Sequence, residues 1–262
     1  MDTSLGGKKA LVCGSTQGIG LAIARQLAEQ HAAVILLARR REALESVRDS
    51  LPSEMGQGHA LICADFDDPH AFKQALSESH RLLDGLNILV GNFGGPPAGP
   101  LLDADVEALI RAFSTHVVCS HLLVQATVAS MKASGYGRVI NITSTSAKQP
   151  IEGLGISNTV RAAVVNWAKT LATELGPFGI TVNNVLPGLT ETARLRDLIE
   201  LKARKTGRSE QAIRREWEMD VPLGRIAAPA EIANVVGFLA SPAASYVNGI
   251  NVPVDGGRTR SL

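Results

Sequence analysis

The sequence lacks a large excess of either charge. Its 26 lysines and arginines and 25 aspartates and glutamates leave a formal net charge of +1. A chain without a strong global field is not drawn to nucleic acid or to an anionic membrane surface. The sequence also lacks an uninterrupted apolar run of about 18 residues, so no membrane-spanning helix is predicted. We therefore expect neither nucleic acid nor a membrane as the main partner.

Cysteine is scarce as well. Cys13, Cys63 and Cys119 are the three cysteines, and they form no C-x-x-C pair. An odd, widely spaced set fits a reducing compartment and argues against a disulfide framework. The N-terminal residues show no apolar export signal. We expect a cytoplasmic location and assign no metal ligands.

What the chain contains is an alternation of short apolar runs with longer amphipathic stretches. The runs predict strands at KALVCG, AVILLA, HALICAD, ILVGN, GRVINIT, ITVNNVLPG and INVPVDGG, and the stretches between them predict helices. This alternation is typical of an α/β protein with a Rossmann-like, doubly wound parallel sheet and helices on both faces. Since no linker, composition break or repeat divides the chain, we predict a single domain over residues 1–262.

The turn after the first strand reads CGSTQGIG. Glycines at such a strand-to-helix turn let the backbone approach a pyrophosphate, whose charge meets the positive end of the helix. A tight turn with no ligand is the alternative interpretation. The cofactor contacts expected here are Gly14, Ser15, Thr16, Gly18, Ile19 and Gly20.

Arginines follow the second strand, at positions where an NAD-preferring protein usually carries an acid for the ribose hydroxyl. A guanidinium suits a 2′-phosphate instead, so NADP(H) is favoured over NAD(H). A solvated charge run is the alternative, although cations are mildly unfavourable at a helix N-terminus. Arg39 is the best candidate and Arg40 the second. Asp65, with the adjoining Phe66, is expected near the adenine, but a plain strand-end cap is an equal interpretation.

In this order, these motifs resemble the short-chain dehydrogenase/reductase family over nearly the whole chain. Gly14, Gly18 and Gly20 match the family's G-x-x-x-G-x-G turn, and GNFG at 91–94 matches its N-N-A-G stretch imperfectly. RVINITS resembles the strand that delivers the active-site serine, and VPLGRIAAPAEIANVVGFLASPAASYVNGINVPVDGG is close to the C-terminal signature. The resemblance is to 3-oxoacyl-(acyl-carrier-protein) reductase-like members. It implies an oxidoreductase with a dinucleotide cofactor.

The resemblance also implies the surroundings of the nicotinamide. The residues expected there are Asn92, Gly94, Pro187, Gly188, Leu189 and Thr192, with Thr192 and the main chain of Leu189 as partners of the carboxamide. The charged stretch at about 190–220 corresponds to the family's lid over the substrate. Its cations Lys202, Arg204, Lys205 and Arg208 would either meet an anionic handle such as a phosphopantetheine carrier or form a solvated helix face.

The family's catalytic set is an asparagine, a serine, a tyrosine thirteen residues later and a lysine four beyond it. Ser144 keeps the serine, whereas His116, Ser157 and Arg161 stand at the other three positions. Serine is a poor proton donor, and losing a positioned acid costs about 10²–10⁴-fold in rate. Arg161 keeps a positive charge on the same helical face for the nicotinamide ribose, but it does not release a proton near neutrality. His116 is either a structural substitute that bonds a main-chain carbonyl or a compensating proton shuttle.

Few other side chains are candidates for the missing acid. Tyr136 and Tyr246 are the only tyrosines, and neither is expected near the cofactor. Glu152 and Glu191 lie on loops near the predicted pocket and would serve only if buried.

Two functions remain open from the sequence. The first is an atypical NADP(H)-dependent oxidoreductase acting on a small carbonyl or alcohol substrate, with an acyl thioester as one candidate. The second is a catalytically impaired dinucleotide-binding protein that acts as a sensor, partner subunit or scaffold. The resemblance further implies a homodimer or homotetramer through the long fourth and fifth helices and the C-terminal strand.

Overall fold

The computed structural model describes residues 1–261 and contains one seven-stranded parallel sheet. Its strands are β1 Lys9–Cys13, β2 Ala33–Ala38, β3 Ala60–Cys63, β4 Ile88–Asn92, β5 Gly137–Ile142, β6 Ile180–Pro187 and β7 Asn251–Val254. They lie in the order β3-β2-β1-β4-β5-β6-β7. All seven predicted strands are therefore confirmed, and so is the Rossmann-like fold class.

Helices connect the strands and cover both faces of the sheet. They are α1 Gly18–Glu29, α2 Arg41–Asp49, α3 Pro69–Glu78, α4 His80–Leu83, α5 Val106–Phe113, α6 Cys119–Ser134, α7 Gly155–Leu175, α8 Ala193–Thr206, α9 Glu210–Met219 and α10 Pro229–Ala240. Short 3₁₀ segments lie at Thr145–Ala147, Gly176–Phe178 and Pro242–Ala244. The predicted lid is the pair α8 and α9.

The core is two layers, one on each side of the sheet. Alternate residues of a strand point to opposite faces. In β1, Val12 packs with helices α1, α2 and α10, while Leu11 packs with α3, α6 and α7. Because both faces are covered, the strands are almost continuously buried, as expected for a parallel sheet.

A π-helical turn, Ser114–Val118, joins α5 to α6. The helical run Val106–Ser134 is, among residues 1–261, the one helix long and apolar enough by length and composition to cross a membrane. Within it, Leu123 and Met131 are buried against the sheet. These contacts are those of a core helix.

Candidate active site

The candidate site is a cleft of about 1680 Å³ at the carboxyl ends of the strands. It opens where the strand order reverses between β1 and β4, which is where doubly wound sheets bind their ligands. The predicted residues that line it are Gly14, Thr16, Gly18, Ile19, Arg39, Arg40, Asp65, Phe66, Asn92, Gly94, His116, Ser144, Ser157, Arg161, Pro187, Gly188, Leu189 and Thr192. Ser15, which is fully buried, and Gly20 lie behind this surface.

The glycine turn forms a tight cradle at one end of the cleft. Gly14 has a positive φ of 59°, and a Cβ there would lie 2.6 Å from the carbonyl oxygen of Asn92. A Cβ on Gly20 would lie 2.1 Å from the carbonyl oxygen of Gly14, so no side chain fits at either position. Helix α1 begins at Gly18 with no side-chain cap and no acid in its first turn. This uncapped, positively polarised end fits the pyrophosphate of a dinucleotide.

Arginines and acids meet at the adenosine end. Arg39 lies 3.9 Å from Asp65 and 3.5 Å from Asp67, and all three side chains are largely exposed. Asp65 also accepts a 3.1 Å hydrogen bond from the Asp67 amide. This bond fits the alternative interpretation of Asp65 as a cap at the end of its strand. Arg40 precedes α2 as its N-cap residue. Exposed pairs of this kind are weak, so a phosphate can displace them.

Ser144 follows β5 and caps the short 3₁₀ segment behind it. Its Oγ accepts a 3.1 Å hydrogen bond from the Ser146 amide. That bond uses a lone pair and leaves the hydroxyl proton available. Ser144 can therefore donate to an oxygen in the cleft, which would stabilise negative charge developing there.

Ser157 and Arg161 lie one turn apart in α7, and both line the cleft. Arg161 donates a 2.9 Å hydrogen bond to the carbonyl of Ile142 and a 3.3 Å bond to that of Phe93, while its Nε has no partner among the described residues. Burial, and then the charge of Arg194, lower the pKa of Arg161 to about 10. The guanidinium thus remains cationic at neutral pH although it is buried.

His116 is held in the π-helical turn and is 1% exposed. Its ring meets the ring of Phe93 edge to face at 5.8 Å, and its Nδ1 has no partner in the described part of the chain. Burial, followed by the charge of Arg161, lowers the pKa of His116 to about 2, against a weaker effect of the Gly94 backbone. The imidazole is neutral at working pH. This favours the structural interpretation of His116 over the proton shuttle.

The other acid candidates are occupied elsewhere or lie outside the cleft lining. Tyr136 donates a 2.7 Å hydrogen bond to the carbonyl of Ala240, and Tyr246 is fully exposed. Glu152 is exposed and does not line the cleft. Glu191 lines it, but it is paired with Arg214 at 2.7 Å.

The chain is similar to known proteins over nearly its whole length. A family model described as "Enoyl-(Acyl carrier protein) reductase" matches residues 14–259. The 3-oxoacyl-[acyl-carrier-protein] reductase FabG of Aquifex aeolicus is 31% identical over 98% of this chain and 99% of its own. Dehydrogenase/reductase SDR family member 4 of Oryctolagus cuniculus is 33% identical over 98% of this chain and 96% of its own. The chain belongs to the short-chain dehydrogenase/reductase family.

Further relatives in this family share the whole length of the chain. NADPH-dependent reductase BacG of Bacillus subtilis is 28% identical over 97% of this chain and 99% of its own. The solved structure of L-sorbose reductase from Gluconobacter frateurii, complexed with NADPH and L-sorbose, superposes with a TM-score of 0.93. It is 31% identical, and each chain is covered completely. The dinucleotide-binding architecture is therefore that of the family.

Of the four cations singled out in the predicted lid, three pair with carboxylates of α8 and α9. Lys202 lies 2.7 Å from Glu216, and Arg208 pairs with the same carboxylate. Arg204 pairs with Glu200 one turn away. These contacts favour the solvated helix face over a site for an anionic carrier.

Sequence reasoning overlooked Arg194. It is the second residue of α8, lines the cleft and donates a 2.7 Å hydrogen bond to the carbonyl of Pro96. A cation in the first turn of a helix opposes the helix dipole. That unfavourable placement, two residues after the predicted nicotinamide contact Thr192, was the signal that could have found it.

Proposed function

We propose that this chain is an NADP(H)-dependent oxidoreductase that transfers hydride between nicotinamide and the carbon of a carbonyl or alcohol. The observation that carries the proposal is Ser144: its hydroxyl proton is free, and it faces the cleft that begins at the glycine cradle. The relatives named as reductases, two of them with NADPH in their names or titles, support it.

The chain's own residues have separable roles in this proposal. The glycine cradle and the start of α1 hold the pyrophosphate, and Thr192 and the Leu189 backbone hold the carboxamide. Bound NADPH supplies the hydride. Ser144 donates a hydrogen bond to the substrate oxygen, and buried Arg161 provides positive charge near it. With a neutral His116 and a serine at 157, the proton comes from water. The reaction then suits a carbonyl substrate whose oxygen, negatively charged after hydride transfer, does not need a protein acid to protonate it.

Preference for NADP(H) over NAD(H) is part of the proposal. Arg39 and Arg40 are exposed where β2 ends, and neither is tied by a close hydrogen bond. A 2′-phosphate offers Arg39 a doubly charged partner in place of two distant carboxylates.

A second function rests on the missing tyrosine. Without a proton donor near neutrality, the same cleft would bind a dinucleotide with little turnover, as a sensor, partner subunit or scaffold. The two functions share the nucleotide site and differ only in chemistry.

We also propose a cytoplasmic homodimer or homotetramer. An apolar stripe on α5, made of Val106, Ile110 and Phe113, is 66%, 52% and 46% exposed. A patch of this kind marks an interface.

The proposed cytoplasmic location agrees with the cysteines, since Cys13, Cys63 and Cys119 are free thiols, as is usual in a reducing compartment. An acyl thioester remains a candidate substrate.

The test pairs binding with single turnover. NADPH and NADH are titrated by fluorescence, and bound NADPH is then mixed with activated ketones, quinones, acyl thioesters and free keto acids. Oxidation that depends on one compound supports the oxidoreductase. Tight NADPH binding with no oxidation by any compound supports the second function.

A further inference from the structure

The inner part of the cleft contains two cations without an anionic partner. Arg161 and Arg194 both line it, and no carboxylate among residues 1–261 lies within ion-pair distance of either. Two acids lie three residues from Arg194 in the chain: Glu191 is paired with Arg196 and Arg214, and Asp197 is exposed and forms no ion pair with Arg194. Burying unbalanced positive charge is costly unless a ligand compensates it.

The two guanidiniums hold one loop from two sides. Arg161 bonds the carbonyl of Phe93, and Arg194 bonds that of Pro96. Arg194 also packs on Gly95, where a Cβ would lie only 3.2 Å from its Nε. The carbonyl bonds therefore fix both side chains in place while occupying few of their donors, since a guanidinium has five N–H groups.

Two buried polar atoms without a hydrogen-bond partner belong to residues that line the same cleft. Arg161 is 7% exposed, yet its Nε has no partner in the described chain. The Nδ1 of His116, in a residue 1% exposed, has none either. Buried polar atoms are normally paired, so such orphans call for a ligand or a specific reason.

We propose that the substrate carries a carboxylate, which Arg194 binds beside the reacting carbonyl and whose charge Arg161 complements. A planar carboxylate matches the fork of a guanidinium, and Arg194, being half-buried at the lid's first turn, is reachable by a small molecule. The substrate class is therefore a keto acid or hydroxy acid. This inference rests on the proposed oxidoreductase function.

The test compares an acid with its ester. 2-Oxo-4-phenylbutanoate and ethyl 2-oxo-4-phenylbutanoate are titrated into the NADP⁺ complex by calorimetry, and their reduction by NADPH is followed separately. We expect the acid to bind at least about tenfold more tightly than the ester. Arg194→Gln should remove the preference for the acid over the ester without changing NADPH affinity. Arg194→Lys, which keeps the positive charge, should retain part of that preference. Arg204→Gln, at an exposed arginine of the same helix that pairs with Glu200 and does not line the cleft, is the matched control and retains the preference.

Several results would overturn the proposal. Equal binding of acid and ester is one, and equal loss of both in Arg194→Gln is another. Weaker NADPH binding in Arg194→Gln would assign that arginine to the cofactor. Acid-selective binding without any reduction would support the carboxylate site while removing the oxidoreductase function, so the two failures are distinguishable.

Discussion

Arg161 Nη1 donates a 2.9 Å hydrogen bond to the carbonyl of Ile142, the last residue of β5. This bond ties a buried cation of α7 to the strand that delivers Ser144. It also fixes where the guanidinium stands relative to the cleft.

Replacement of Arg161 tests whether that cation is structural or functional. Its pKa falls from 12.5 to about 10, mainly through burial, a charging cost of about 3 kcal/mol. Two charge-assisted hydrogen bonds of about 1.5–3 kcal/mol each, or about 3–6 kcal/mol together, equal or exceed it. We expect Arg161→Met to lower the free energy of unfolding by no more than about 3 kcal/mol in urea denaturation, while NADPH binding weakens. A loss of stability with unchanged NADPH affinity would make Arg161 structural.

His116 should contribute to acid sensitivity of the fold. Its pKa is 6.5 when unfolded and about 2 in the fold, so its contribution is complete above pH 6.5 and is lost as pH falls toward 2. As the pH falls from 7.5 to 5.5, His116 takes up a proton in the unfolded state but not in the fold. This should lower the free energy of unfolding by about 1.4 kcal/mol. His116→Asn should remove that component in urea titrations at the two pH values. The variant's pH–rate profile should keep its shape, and a shift would return His116 to the proton-shuttle role.

Substitutions of Ser144 and Ser157 should have different effects on the single-turnover rate. Ser144→Ala removes the hydroxyl that donates to the substrate oxygen, and we expect a rate loss on the order of 10²-fold with unchanged NADPH affinity. Ser157→Ala should change the rate by less than about fivefold, because serine adds little as a general acid. Equal effects of the two substitutions would reject this division of roles.

Arg39→Ala should shift cofactor preference. We expect NADPH affinity to fall at least about tenfold and NADH affinity less than about threefold, since only NADPH carries the 2′-phosphate. Fluorescence titration measures both. Arg41→Ala, whose native side chain lies 3.9 Å from Glu45, is the control. Equal losses for the two cofactors would contradict the assignment of Arg39.

Phe113→Glu should disrupt the proposed assembly. The substitution places a charge within the exposed stripe on α5, and a buried charge at an interface is costly. We expect sedimentation velocity to show a smaller species than the native chain. Leu82→Glu, at a residue 39% exposed elsewhere, is the control and should sediment like the native protein. An unchanged coefficient for Phe113→Glu would exclude this stripe as an interface.

The sequence by itself determined the fold and the place of the cleft. Strand runs such as AVILLA are local signals of period and composition, and the glycine spacing after β1 encodes a turn whose geometry tolerates no Cβ. These features depend on neighbouring residues, so they can be read along the chain.

Only the tertiary structure decided the electrostatic state of the site. The pKa of His116, near 2, depends on burial and on Arg161, 45 positions away. Glu191, three residues before Arg194 in the chain, does not serve as its carboxylate partner because it pairs with Arg214. Charge and desolvation act through space rather than along the chain. That is why the residue types could be predicted while their protonation, and the positive pocket they form, could not.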